Sequence, residues 1–171
     1  PNSESTSRSM TKFLAGFDSD LGVLTNVSVS FNSSYDFTNK IENNKDKLLH
    51  KERASGNAYF DGRISLVDPN GASESKRASE YNSCSGNHKC SDTDTERGSF
   101  NSILDVSGMD LSDFIGGTLE FEVFSRMTAS LSSCSSGNGN CKLTAKLRDW
   151  SGALQVAYTY ETIPDPVPEP S

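Results

Sequence analysis

The sequence predicts an all-β protein, an antiparallel β-sandwich of jelly-roll-like form with about eight strands and disulfide-clipped loops. Three observations carry this. Ser (29), Thr (11) and Asn (13) make up about 31% of the 171 residues, and such small polar side chains suit turns and wet sheet faces better than long helices. Apolar residues recur every second position in the clearest segments, the period of a half-buried strand. Turn-forming clusters interrupt them about every 8–15 residues, a spacing typical of sandwiches and barrels. The core is lean: hydrophobic residues are 33%, and adding the 13 Gly reaches only about 41%, below the usual 45–50%. A chain of this length forms one domain that buries about 68–70% of its unfolded surface.

Residues 1–16 form a polar N-terminal arm, read either as a lead-in or as an edge strand in need of a partner, and so as a candidate exchanged strand. The sandwich domain spans 17–162. Val23, Thr25, Val27, Val29 and Phe31 alternate with Leu24, Asn26, Ser28 and Ser30, which defines the first clear strand. Asn32-Ser33-Ser34 offers a turn before Tyr35, Phe37 and Ile41. Residues 42–55 are charged, with Leu48-Leu49 among them, and fit a short helix or an excursion between strands. Tyr59, Ile64, Leu66 and Val67 suggest a strand broken at Asp61-Gly62 and ended by the turn Asp68-Pro69-Asn70-Gly71. Residues 72–98 are nearly free of large apolar groups and read as a long loop. Strand signals return at 100–106 and at 118–124, where Leu119, Phe121 and Val123 share one face. Segments 126–131 and 142–147 flank the second cysteine loop like hairpin arms, and 153–160 closes the series. Gly116-Gly117 and Ser151-Gly152 mark turns. Residues 163–171 form a proline-rich extended tail.

Lys and Arg number 16 against 23 Asp and Glu, a net charge of −7. That balance argues against nucleic acid or an anionic lipid surface as the main partner. No run of 18 apolar residues exists to span a bilayer. The chain opens at Pro1 without Met, as after removal of a targeting segment.

The cysteines fall in two clusters, Cys84 with Cys90 and Cys134 with Cys141, each bracketing a Gly/Asn-rich loop. Their spacing matches no common zinc pattern, and disulfides, with the oxidising compartment they imply, are the expectation. Local pairing would clip two hairpin ends, while a cross-link between the clusters stays open.

Asp92, Asp94 and Glu96 alternate before Gly98, the candidate pattern for a hard cation such as Ca²⁺. A solvated acidic loop tip explains the same string. Asp18 with Asp20, and Asp110 with Asp113, could add ligands from other loops. The two histidines are His50 and His88; His88, inside a cysteine loop, reads as a surface residue. No GxSxG, HExxH, Walker or GxGxxG string occurs, so the expectation is a protein without enzymatic activity and without catalytic residues. Acid pairs could serve a glycosidase, but with 23 acids such a pair is no coincidence. Trp150 sits at an expected turn, where capping the sandwich is favoured over stacking on a sugar.

Val167-Pro168-Glu169-Pro170-Ser171 resembles the sorting signature of PEP-CTERM proteins, the exosortase-processed surface and matrix proteins of bacteria that make exopolysaccharide. The hydrophobic helix and basic cluster that follow the signature in that family are absent here, implying cleavage by the sorting enzyme or a trimmed chain. The string 17–27, Phe-Asp-Ser-Asp-Leu-Gly-Val-Leu-Thr-Asn-Val, with Val156, Tyr158 and Tyr160, is similar to the choice-of-anchor type E domain found ahead of such signals. The resemblance implies a β-rich domain at the cell surface or outside a Gram-negative bacterium, associated with biofilm or floc matrix, and Val167, Pro168, Glu169 and Pro170 as the sorting signal. The expected function is that of a secreted structural protein, self-assembling into filaments by strand addition. A carbohydrate- or calcium-dependent adhesin is the alternative. The expected partners are further copies of the chain and exopolysaccharide.

Overall fold

Alternation between two faces governs almost the whole chain, well beyond its most apolar stretches. The computed structural model describes residues 3–45 and 52–170. The readings at Leu48, Leu49 and His50 lie outside the described residues, as do Pro1, Asn2 and Ser171. Among the described residues seven strands form: β1 (Ser3–Ala15), β2 (Val23–Asn43), β3 (Glu52–Asp68), β4 (Ala72–Gly86), β5 (Cys90–Leu104), β6 (Thr118–Cys134) and β7 (Cys141–Glu161). They build two antiparallel sheets, in the orders β1-β6-β3-β4 and β5-β2-β7. The expected sandwich is the observed one.

The strands are fewer and longer than their sequence signals suggest. β2 and β7 each run 21 residues, so the expected turns at Asn32-Ser33-Ser34 and Ser151-Gly152 lie inside strands, as does the break at Asp61-Gly62. Gly152 marks a close approach: a Cβ there would stand 2.4 Å from Asn32 O and 2.8 Å from Ser33 Cα. Its partner in register is Ser33, so glycine here lets β2 and β7 come together rather than bend. Gly116 (φ +69°) and Gly117 (φ +63°) do turn the chain, in a backbone region that other residues resist.

The expected loop 72–98 is overturned. Residues 72–86 and 90–104 are β4 and β5, the outer strands of the two sheets on one side of the sandwich. An edge strand over the rim of a core needs few large apolar residues, and Ala78, Asn82, Cys84, Ser102 and Leu104 suffice as its buried positions.

The layers are stapled at one end. There the chain crosses between sheets three times, from β2 to β3, β4 to β5 and β6 to β7. At the other end β3 turns into β4 within its sheet through Pro69–Gly71, and two longer connections cross. The core lies between the layers. Phe17, Val29, Phe31, Leu104, Phe114, Leu119 and Phe121 fill the end remote from the disulfides; Phe37, Ala58, Phe60 and Met127 fill the middle.

Candidate functional site

Four strands face three. β4 packs across from β5, β3 across from β2 and β6 across from β7, which leaves β1 with scarcely any facing strand. β1 is nonetheless held in its own sheet, pairing with β6 from Ser3↔Ser130 to Ala15↔Thr118. Its root is fixed by Phe17, which is buried and packs against Tyr158 and Tyr160 at 5.5 and 5.2 Å. Tyr158 Oη donates to Ala15 O at 2.9 Å. Beyond that root the strand stands clear: residues 5–13 are exposed, Met10 and Phe13 by 53% and 63%.

The mismatch leaves a groove of about 700 Å³ beside the free edge of β7, floored by β6 and walled by β1. Pairing places Thr6, Arg8 and Met10 of β1 beside Met127, Ser125 and Val123 of β6. Across from them, Ala145, Leu147 and Trp150 of β7 pack on the central core yet stay only half-buried. Trp150 is not at a turn; it lies inside β7, edge-on to Phe31 at 5.7 Å and Phe60 at 5.4 Å. Its Nε1–H is buried without an acceptor. A bulge at Arg148, between the pairs Phe37↔Leu147 and Asp36↔Asp149, kinks β7 beside the groove.

Arg8, Lys146 and Arg148 outnumber Asp149 around this groove, in a chain of net charge −7. Arg148 also stands 3.9 Å from Asp36, so the edge carries a modest cationic excess in an acidic protein. Bulges and basic side chains are the usual means by which an open edge discourages indiscriminate pairing.

The remaining predicted residues fall elsewhere. Cys84 bonds Cys90 and Cys134 bonds Cys141. Both bridges clip crossings between sheets, correcting the expectation of clipped hairpins, and both sit in one cluster with Ile41, Ala54, Ala129 and Leu143. His88 is exposed in the short link between β4 and β5. Val167, Pro168, Glu169 and Pro170 are exposed in an extended tail that belongs to no strand.

Asp92, Asp94 and Glu96 occupy alternate positions of β5, not a loop tip. Asp94 and Glu96 come near Glu80 of β4 at the rim between the sheets. Burial first, and then the charges of Glu96 and Asp94, push the Glu80 carboxyl above its ordinary value. Burial and Glu96 likewise raise the Tyr35 hydroxyl. Among the described residues no three His, Cys, Asp or Glu side chains are placed to hold one metal ion. The other acid pairs have local roles. Asp18 accepts from Asp20 N at 2.9 Å and Asp110 from Ser112 N at 3.0 Å, each capping a single 3-10 turn.

Sequence reading missed a buried asparagine network. Asn39, fully buried, donates to Glu80 O at 2.7 Å. Asn82 donates to Asn39 O at 2.8 Å and to Asp92 O at 3.0 Å. Two amides thereby tie β2, β4 and β5 together across the layers. The available signal was their place in period: Asn39 follows Phe37 and precedes Ile41 on the inward face.

The sheets and disulfides define a two-layer all-β, disulfide-clipped domain. Among its described residues no helix is long and apolar enough to cross a membrane. Comparison with family models, curated proteins and solved structures finds no match to this chain.

Proposed function

We propose that this is a secreted structural protein of a bacterial extracellular matrix, whose subunits join by adding a strand from one copy to the open sheet of the next. The observation that carries the reading is the four-over-three sandwich, in which β7 keeps an unpaired edge beside an overhanging β1. An open edge offers a row of main-chain donors and acceptors, and strand addition turns that row into an interface. Contacts of that head-to-tail kind propagate as filaments when the rotation does not close. Two disulfides fit an oxidising compartment outside the cytoplasm. The PEP-CTERM-like tail fits the surface of a Gram-negative, polysaccharide-producing cell, and exopolysaccharide is the second partner. The protein works through its surfaces and performs no catalysis.

Negative-stain electron microscopy of the purified chain, with and without residues 1–16, tests this. The intact chain forms filaments, and removing the arm, which takes away one wall of the groove, abolishes them. Monodisperse particles at every concentration would overturn the reading.

The acidic rim motivates a second reading, a calcium-dependent adhesin, because Asp94 and Glu96 share one face of β5 beside Glu80, whose carboxyl is raised first by burial and then by the charges of Glu96 and Asp94. Calorimetry with Ca²⁺ separates the two: heat that disappears in D94N/E96Q supports the adhesin, and no heat removes it.

A further inference from the structure

We propose that the groove beside β7 receives residues 163–169 of the C-terminal tail from a second copy, added as a strand to the β7 edge; this deepens the strand-addition reading and rests on it. Three features of the chain select this occupant.

The first is charge. Arg8 lies over the groove, and Lys146 and Arg148 flank it on β7, Arg148 also standing 3.9 Å from Asp36. A second β7 would bring its own Lys146 and Arg148 to the same edge, and a second β1 would bring Arg8 and Lys12. Like charges placed together at an interface act against the wrong partner. The tail carries Asp165 and Glu169 and no basic residue.

The second is the edge the tail presents. Ile163, Asp165, Val167 and Glu169 alternate with Pro164, Pro166, Pro168 and Pro170. In an extended chain, alternate residues share a face and turn their main-chain groups to the same neighbour. Asp165, Val167 and Glu169 therefore offer both N–H and C=O to β7. The opposite edge has no N–H at any proline and cannot recruit a further strand. With that odd-numbered face turned inward, Ile163 and Val167, now 63% and 87% exposed, meet Met10 and Trp150, and the acids meet Arg8.

The third is reach. Glu161 lies 11 residues beyond Trp150 along β7, about 36 Å of strand. Residues 162–170 extended cover about 30 Å and would first have to reverse direction. They cannot lie beside Trp150 of their own chain. Each copy thus gives its tail to a neighbour and accepts one in turn, a heterologous contact.

Sedimentation velocity of the full chain over a concentration series reads this. The expected result is association that weakens about tenfold or more in D165K/E169K, weakens similarly in R8E/R148E, and returns when all four substitutions are combined. These side chains are exposed, and an unchanged circular-dichroism spectrum verifies the fold of each variant. Association undiminished in D165K/E169K overturns the tail as occupant while leaving strand addition by another segment standing. A native chain that stays monomeric at every concentration overturns both.

Discussion

Trp150 of one sheet lies against Gly62 of the other, so closely that a Cβ on Gly62 would stand 3.0 Å from Cζ2 of the indole. The same ring packs edge-on to Phe60 at 5.4 Å, which makes the contact a point where the layers lock. It also fixes the β7 side of the groove, since Trp150 lines it.

Two substitutions bracket this contact. Gly62→Val overpacks it and costs about 1–3 kcal/mol. Trp150→Ala leaves a void and costs about 3 kcal/mol, near the lower end for aromatic truncation because the indole is only half-buried. Urea denaturation of both variants checks the values, and a loss under 0.5 kcal/mol at either position would contradict the packing described.

Asn82 makes a different kind of lock. Its amide donates to Asn39 O and Asp92 O, and a buried carbonyl stripped of its donor loses its hydrogen bond without gaining water. Asn82→Ala is expected to cost about 2 kcal/mol, with amide exchange of β4 and β5 accelerating before that of β3 and β6. Uniform acceleration across all strands would count against a local tie.

Acid titration has two opposed contributions. At Asp61, burial raises the carboxyl, but hydrogen bonds from Arg77 and Arg126, together with their charges, outweigh it and leave the value lowered. Asp61 therefore stabilises the fold above its unfolded value, and that contribution is lost as pH falls through the folded one. Glu80 is raised, so its ionised form is a burden at neutral pH that is relieved as pH falls through the folded value toward the ordinary one. Glu80→Gln should raise Tm at pH 7 with the gain vanishing in acid. Asp61→Asn should lower Tm at pH 7 with the loss shrinking in acid. Melting curves from pH 3 to 8 decide, and a pH-independent offset in either variant contradicts the sign given.

Each disulfide closes a small loop, with partners 6 and 7 positions apart, which corresponds to about 2–3 kcal/mol of unfolded-state entropy. Because both bridges share one hydrophobic cluster, their removals should couple rather than add. C84A/C90A and C134A/C141A are each expected to retain β circular dichroism with a lowered Tm. Loss of the fold in a single-bridge variant would show that the clips hold the sandwich together instead of finishing it.

The two-layer class was legible because the alternation of Val27, Val29 and Phe31, or of Leu119, Phe121 and Val123, survives any tertiary context. Strand ends were not. Asn32-Ser33-Ser34 and Ser151-Gly152 carry turn composition, yet they pair with each other across β2 and β7, where small residues permit close backbone approach. β4 and β5 were hidden because an edge strand buries one face only against a rim, and Asp94, Glu96 and Glu80 can occupy inward positions there. The cysteine pairing followed from spacing, but its placement between sheets did not, since hairpin and crossing share one local pattern. Lys146 and Arg148 are compatible with an edge strand, but the openness of the β7 edge emerges only when four strands are counted against three.

Strand addition requires the free edge of β7, and hydrogen–deuterium exchange of the full chain at low and high concentration probes that edge residue by residue. Fast exchange along residues 145–156 is expected in dilute protein, with strong protection of the same segment in concentrated protein while β4 and β5 stay unchanged. Equal exchange of that segment at both concentrations, in a sample shown to be associated, would contradict strand addition at that edge.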